Sequence, residues 1–269
     1  MSVMIQRTNS CSSQLTSLNM KRKKLLFIVL MVFCINPSAY AACDDPPQRG
    51  VNWIGCDKRG VDLQGADLRR ALLSKANFAG ANLTEANLRD ADLGNANLEG
   101  AVMKGARLVD AHLGSANLKQ ADLSGAHLEN ARISRADMKQ ANLQGASLNS
   151  AQGYAVILHD ANLSAAILDK AVLDRAEFKG ANFDTAMLQE TSLLKANLEA
   201  ASFIGANLFK ARLDQSSLID ADFSQADLSK ANFYKADIMD ARFDGAKMTH
   251  TIWLNRERCK RDSVGECLR

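Results

Sequence analysis

Large aromatic side chains are scarce in this chain of 269 residues, since phenylalanine, tyrosine and tryptophan together make up only 6%. There are 2 tryptophans, 3 tyrosines and 3 prolines, although 47% of the residues are apolar. A globular core normally relies on bulky side chains, so their scarcity excludes a core assembled in that way. The apolar residues are mostly alanine and leucine, which favours a narrow and regular interior.

The motifs of common catalytic sites are also missing. The sequence contains no phosphate-binding loop and no G-x-S-x-G motif. A lone exposed histidine is a surface residue far more often than a ligand. We therefore expect no enzyme activity, no cofactor and no metal. The four histidines are His112, His127, His159 and His250. No two of them are five or twenty positions apart, which are the spacings that the repeat described below would bring together.

A dense charge of one sign is absent once the first residues are set aside. Five of the 33 basic residues and none of the 30 acidic residues precede residue 42, so residues 42–269 carry 28 basic and 30 acidic groups, a net charge of −2. Nucleic-acid binding depends on an excess of cations facing the phosphates. The composition therefore gives no indication of a nucleic-acid partner.

Residues 1–41 have the features of a secretory signal peptide. A basic cluster, Lys-Arg-Lys-Lys, follows Met20 within residues 20–24. Residues 25–35 are apolar, and the segment ends in an A-Y-A pattern. This order predicts cleavage after Ala41. The apolar run is too short to span about 30 Å of hydrocarbon as a helix, so we expect a periplasmic or secreted protein with no transmembrane span. Residues 1–19 are either an upstream over-extension of the reading frame or a long n-region.

A period of five residues governs residues 61–255, which contain 39 consecutive pentapeptides. The central position is Leu 25 times and Phe 7 times, and the position two residues earlier is Ala 34 times. Leucines at this spacing scatter round an α-helix, and the alternation of a plain strand needs an even period. A short extended side followed by a corner fits, because both apolar positions then point the same way. Nine glycines lie two residues after a centre, where they favour a corner with a positive φ angle.

The tandem A-[DN]-L-x-x motif resembles the pentapeptide-repeat family over 195 of the 269 residues. The resemblance implies an all-β fold, a right-handed quadrilateral β-helix in which four pentapeptides make one square coil. The 39 sides then make about ten coils and a rod roughly 45 Å long. Residues 42–60 and 256–269 are expected to form an N-terminal and a C-terminal cap.

Residues one full coil apart share a face in such a fold. Phe183, Phe203, Phe223 and Phe243 are therefore expected to stack as one aromatic ladder.

Gly153 leaves one centre of the repeat without a side chain, and we expect a local bulge or a flattened side there. The alternative at Gly153 is a functional notch, which would hold the site of an unrecognised enzyme.

Four of the six cysteines follow residue 41, namely Cys43, Cys56, Cys259 and Cys267. Export to an oxidising compartment favours disulfides. Three pairings are possible, but the ends of a rod roughly 45 Å long are too far apart for a bond that needs Cα atoms within about 7 Å. We therefore predict Cys43–Cys56 and Cys259–Cys267. Lipidation of Cys43 stays open as an alternative, because Y-A-A-C is a poor lipobox-like sequence.

The preferred functional hypothesis is a non-catalytic solenoid of the cell envelope, which acts as a structural scaffold or binds an unidentified protein partner. Ile219 and Met239 point outward and are separated by one full coil, so they form the candidate protein-binding patch. A homodimer is left open. The resemblance also brings an alternative, the protection of topoisomerases by mimicry of DNA. The net charge of −2 for residues 42–269 and the predicted export argue against this alternative.

Overall fold

Residues of the chain pair with one another at a constant separation along the sequence. Parallel β-bridges link Asn52 to Leu72, and the same pairing recurs at every fifth residue up to the bridge between Asn232 and Ile252. One turn of the backbone therefore takes four pentapeptide sides. The computed structural model describes residues 42–268. The predicted signal peptide, its cleavage site after Ala41, and the choice between Met1 and Met20 lie outside the described residues.

Each side of the coil forms one β-bridge, at the residue before the centre, and its corner adds a further backbone hydrogen bond to the next coil. Asn82, for example, donates its N–H to the carbonyl of Val61 at 2.9 Å and accepts the N–H of Leu63 at 2.7 Å. These contacts are isolated bridges, and residues 42–268 contain neither a helix nor an extended strand. A helix of membrane-spanning length and hydrophobicity is accordingly not found in this range.

We number the four faces of the coil in chain order. Face 1 consists of residues 51–55 and of the segments that follow at intervals of 20 residues, such as 71–75. Face 2 is defined in the same way from residues 56–60. Face 3 begins with residues 61–65 and face 4 with residues 66–70. Face 1 therefore lies opposite face 3, and face 2 lies opposite face 4.

The alanines and the central residues fill the interior. Leu73 and Ala76 are both 0% exposed, and the same holds for nearly all equivalent positions. Burying one leucine contributes about 1.5–3 kcal/mol, so every side adds to the stability of its neighbours. Where a hydroxyl replaces alanine, it bonds to the backbone: Thr191 donates to the carbonyl of Leu168 at 2.8 Å, and Thr251 does the same to Leu228 at 2.7 Å.

Each corner is a hydrogen-bonded turn with a positive φ angle at its second residue. The carbonyl of Leu73 accepts the N–H of Ala76 at 3.0 Å, and Lys75 between them has a φ of 59°. A positive φ at this place is typical of a type II turn. The corner predicted from the glycines is confirmed. Other residues also occupy it, from Ala155 with a φ of 53° to Lys230 with a φ of 62°, although the left-handed region costs them roughly 1–2 kcal/mol each.

The predicted aromatic ladder on face 3 is confirmed. Phe183 and Phe203 stack with ring centroids 4.7 Å apart, Phe203 and Phe223 at 4.8 Å, and Phe223 and Phe243 at 5.4 Å. The rings are within 5° of parallel. Trp253 meets Phe243 edge-on at 5.5 Å. The C-terminal half of the interior is therefore packed with aromatic rings.

Gly153 does not interrupt the coil. It donates to the carbonyl of Val172 at 2.8 Å and accepts the N–H of Val156 at 3.2 Å, as other sides do. A Cβ atom at this position would lie 2.7 Å from Cδ2 of Leu173, 3.1 Å from Cγ1 of Ile133 and 3.2 Å from Cγ1 of Val156. The expected bulge is wrong, because these side chains fill the missing volume from within. The same filling leaves no room at Gly153 for the ligand of an enzymatic notch.

The repeating geometry begins at Val51, two sides before the predicted start at Val61. Asn52 already forms a bridge to the next coil, and Trp53 occupies a centre with 1% exposure. Cys56 takes the place of an alanine and is 1% exposed. The first two sides are therefore part of the coil, although their inward residues depart from the alanine–leucine pattern.

The tight packing round Gly153 makes a prediction about stability. Gly153→Ala places a methyl group against Leu173 and should lower the free energy of unfolding by about 1–3 kcal/mol through overpacking. Gly114→Ala on the same face is the control, because its nearest neighbour would be 3.8 Å away. The control should be neutral or stabilising by up to about 1 kcal/mol. Urea denaturation followed by circular dichroism compares the two, and equal stabilities would contradict this account.

Candidate protein-binding surface

Ile219 and Met239 lie in adjacent coils on face 2. The N–H of Asp220 donates to the carbonyl of Met239 at 3.0 Å, which places the two apolar side chains one above the other. Met239 is 58% exposed, whereas Ile219 is half-buried. The two residues therefore lie next to each other at the surface, and Met239 is the more exposed of the two.

Carboxylates surround this patch. Asp237 accepts the backbone N–H of Met239 at 3.2 Å, and Asp220 and Asp240 occupy the corners of the same two sides. One coil below, Glu199 is neutralised by Lys179 at 2.8 Å, so the three aspartates form the acidic rim. The patch is thus apolar at its centre and acidic at its rim. A partner with a basic rim round an apolar residue would complement it.

The C-terminal segment folds back over two faces of the last coil. Antiparallel bridges join Lys247 to Val264 and Ile252 to Arg258. Met248 donates to the carbonyl of Ser263 at 2.9 Å. Residues 256–268 therefore cover the last side of face 4 and the last side of face 1, and they form the C-terminal cap.

Faces 2 and 3 of the last coil have no backbone hydrogen bonds to this segment within the described residues, although Gly265 lies beside Phe243 and Gly245 at the end of face 3. Among the described residues, the backbone N–H groups of Ile238 and Phe243 have no acceptor, and the carbonyls of Ala236 and Ala241 have no donor. Ile238 and Phe243 are also only half-buried, although their equivalents in lower coils are fully buried. We call residues 236–245 the open edge. The open edge includes Met239 and enlarges the surface that the sequence predicts.

The N-terminal end is protected in a different way. Trp53 is buried beneath residues 42–50 and donates its Nε1–H to the carbonyl of Asp45 at 3.2 Å. Lys58 lies 4.0 Å from the centre of the Trp53 ring and donates to the carbonyl of Cys43 at 2.6 Å. The bridging positions of the first coil are polar and mostly charged, which discourages a further strand from pairing there. These residues are Asn52, Asp57, Asp62 and Asp67.

Two of these aspartates hold ion pairs with arginines. Arg69 lies 2.6 Å from Asp67, and its hydrogen bond to the carboxylate lowers the pKa of Asp67 from 3.8 to about 2. Arg59 lies 2.6 Å from Asp57 and lowers the pKa of that carboxyl in the same way. The N-terminal edge therefore keeps its charge over the ordinary pH range.

Removing the arginine should restore an ordinary carboxyl. In Arg69→Gln the pKa of Asp67 should rise towards 3.8, as measured by NMR titration. Because the pKa is lowered in the folded state, the stability that the pair contributes is complete above pH 3.8 and is lost as the pH falls through about 2. Arg89→Gln is the control, since Arg89 pairs with Asp90 and Asp110. A pKa of about 2 for Asp67 in Arg69→Gln would contradict the assignment.

The four cysteines form two disulfides within the ends of the molecule. Cys43 bonds to Cys56 with the Cα atoms 5.4 Å apart, and Cys259 bonds to Cys267 with the Cα atoms 4.9 Å apart. The first attaches residues 42–50 to the first coil, and the second closes the C-terminal cap. Sequence reasoning identified these ends but missed the open edge. The available signal was that Ile238 and Phe243 are centres of the last coil.

Within residues 42–268, the buried polar atoms that have no hydrogen-bond partner do not lie together. Three buried polar atoms lack a partner, Oε2 of Glu129, Nε2 of His159 and Oγ of Ser224, and they lie on faces 4, 2 and 3 respectively. Oε2 of Glu177 lies 3.8 Å from Nε2 of His159, beyond hydrogen-bond distance. In residues 42–268 no group of three histidine, cysteine or acidic side chains is placed to hold a metal ion.

Comparison with known protein families finds a match to the pentapeptide repeats. The model of the pentapeptide repeats matches in 8 copies, over residues 55–90, 81–120, 111–150, 157–193, 186–218 and 216–252. A comparison with curated protein sequences finds no match.

Several solved structures are similar to the chain. HetL, a pentapeptide repeat protein involved in heterocyst differentiation regulation from the cyanobacterium Nostoc sp. strain PCC 7120, is 30% identical, and the alignment covers 78% of this chain and 92% of HetL with a TM-score of 0.43. Trypsin-treated QnrB1, a plasmid-mediated fluoroquinolone resistance protein, is 18% identical over 71% of this chain and 81% of its own, with a TM-score of 0.38. A pentapeptide repeat protein from the thylakoid lumen of Arabidopsis thaliana is 30% identical over 42% of this chain and 68% of its own, with a TM-score of 0.20.

Proposed function

Because the chain belongs to the pentapeptide-repeat family, we propose that it is a non-catalytic scaffold of the cell envelope that binds a protein partner at its C-terminal end. In this proposal the coil is the right-handed quadrilateral β-helix that the family implies. It has about ten turns, since the bridges advance by one coil at a time from Asn52 to Ile252. Such a rod offers a rigid surface on which other proteins assemble.

The observation that carries the proposal is the open edge beside Met239. A strand that ends a stack with unpaired N–H and C=O groups is a template for pairing with another chain. An extended segment of the partner would bond to the free backbone groups of Ile238 and Phe243 and place apolar side chains against Met239. The acidic rim round Met239 favours basic residues next to that segment. A second copy of the chain is the alternative occupant.

The alternative of DNA mimicry has less support. That function requires a continuous negative surface, and carboxylates of this rod are neutralised by neighbouring cations. Lys119 lies 3.3 Å from Asp137, and Lys179 lies 2.8 Å from Glu199.

Photo-crosslinking in living cells tests the binding surface. A photoreactive amino acid at Met239 should give a crosslinked product of defined mass, and Ile219→Lys in the same chain should abolish the product by placing a charge in the apolar contact. Ile204 is the matched control position, because it is 42% exposed but lies on face 3, two coils below the open edge.

The mass of the product identifies the occupant. A product of twice the chain mass means a homodimer, and another mass means a different protein. Equal crosslinking from Met239 and Ile204, or a product that Ile219→Lys leaves unchanged, would contradict a specific surface at the C-terminal end.

Export is tested separately. The Cys43–Cys56 disulfide supports an oxidising compartment and an unlipidated Cys43. Mass spectrometry of the envelope fraction should find a chain that begins at Ala42 and has lost four hydrogens through its two disulfides. A chain that begins at Cys43 and carries a lipid would indicate the alternative, and a chain confined to the cytoplasm would contradict the proposed location.

A further inference from the structure

The small net charge of the rod hides a separation of charge between its faces. Over residues 51–255, face 1 carries seven lysines and arginines but three acids, Asp92, Asp174 and Asp214. Face 2 carries nine acids and five cations, and face 3, opposite face 1, carries six acids and two cations. The cations of face 1 are Lys75, Arg132, Arg135, Arg175, Lys195, Arg212 and Lys235.

Ion pairing strengthens this difference. Both cations of face 3 are paired, Lys104 with Asp122 at 3.2 Å and Arg242 with Asp244 at 3.0 Å. On face 1 a single cation is paired, Arg212 with Asp214 at 3.5 Å. The other six cations of face 1 make no ion pair within the described residues, and all six are exposed. Face 1 therefore holds an excess of positive charge that the protein itself does not neutralise.

Exposed apolar side chains lie among these cations. Tyr154 is 43% exposed, and the guanidinium of Arg175 lies 5.9 Å from the centre of its ring. Val172 is 45% exposed, and Leu72 is 42% exposed. At the C-terminal end, two cations lie near the centre of the Tyr234 ring, Lys235 at 5.3 Å and Arg256 at 4.3 Å. The face combines tyrosine, aliphatic and basic residues on a single surface.

The backbone places four of the cations of face 1 in one column along the axis of the coil. Arg135, Arg175, Lys195 and Lys235 occupy equivalent corners of face 1 with φ angles of 57–59°. Neighbouring coils are about 4.8 Å apart, so the row from Arg135 to Lys235 is roughly 24 Å long. Because each corner is held by the backbone ladder, the row cannot bend to follow a curved partner.

We propose that face 1 binds the surface of a bilayer rich in anionic phospholipid. Basic residues are attracted to the negative headgroups, and tyrosine and aliphatic side chains enter the interfacial region. A bilayer accepts both the basic and the apolar side chains of the face, whereas the phosphate backbone of duplex DNA provides no apolar environment for Val172 or Leu72. The acidic face 3 points away from the membrane and sets the orientation. This surface is separate from the open edge on faces 2 and 3, so it does not depend on the proposed protein partner.

Co-sedimentation with vesicles tests the proposal. Residues 42–269 are used, because the described buried core and both disulfides lie within residues 42–268, and because the basic and apolar residues of the predicted signal peptide would themselves bind lipid. The protein should bind vesicles of phosphatidylcholine and phosphatidylglycerol but not vesicles of phosphatidylcholine alone. High salt should weaken the binding.

A pair of triple variants separates face 1 from net charge. Arg175→Glu/Lys195→Glu/Lys235→Glu should bind anionic vesicles about a hundredfold more weakly. Lys119→Glu/Lys139→Glu/Lys179→Glu makes the same change of charge on face 2 and should keep binding within about twofold. Glutamate fits the corners of face 1, because Glu85 and Glu190 have φ angles of 57° and 58° at equivalent positions. Unchanged circular dichroism confirms that both variants fold.

Other outcomes overturn the proposal. Equal losses in the two triple variants would mean a nonspecific effect of net charge, and no binding to anionic vesicles would exclude the lipid surface. Competition by excess inorganic phosphate at constant ionic strength would show that face 1 holds single phosphate groups instead. Tighter binding to duplex DNA than to vesicles would assign the face to nucleic acid. Tyr154→Ser/Val172→Ser should weaken vesicle binding without changing its salt dependence, and an unchanged affinity would contradict insertion of the apolar side chains.

Discussion

The hydrogen bonds between equivalent backbone groups of successive coils are the constraint on which the rest of this structure depends. Each side contributes one bridging residue, such as Asn82, and that residue holds the coil to the one below. Because the register is the same on every side, equivalent residues of successive coils form straight columns. The stacked rings from Phe183 to Phe243 and the row of cations from Arg135 to Lys235 are both results of this register.

A ladder of this kind has two ends, and the chain treats them differently. The N-terminal end combines a buried tryptophan, a disulfide and a row of aspartates that includes Asp57 and Asp67. The C-terminal end covers two faces and leaves Ile238 and Phe243 with free backbone groups. Unpaired strand edges are usually blunted by charge or covered. The contrast favours the open edge as the place where another chain adds, and it is the reason that the proposed partner is assigned there.

The repeat itself was predictable from the sequence, because a period of five combined with alanine at a fixed offset is incompatible with ordinary helices and strands. The column of phenylalanines followed from the same register. The outcome at Gly153 did not, because it depends on how far Leu173, Ile133 and Val156 relax into a gap. The start of the coil was also missed, since Trp53 and Cys56 replace leucine and alanine there. The candidate surface at Ile219 and Met239 followed from their separation of one full coil. Its extension to the open edge did not, because it depends on where the C-terminal segment lies.

The constant register also limits how this protein can change its length. Deleting one pentapeptide between Phe183 and Lys195 would keep the local pattern of alanine and leucine, but every later residue would move by a quarter turn onto an adjacent face. Lys195 and Lys235 would then leave the face they share with Arg135, and Phe183 would lose Phe203 as its stacking partner. Only the insertion or deletion of four pentapeptides together would preserve both columns. Evolution by tandem duplication should therefore proceed in whole coils, even though the smallest repeating unit is a single pentapeptide.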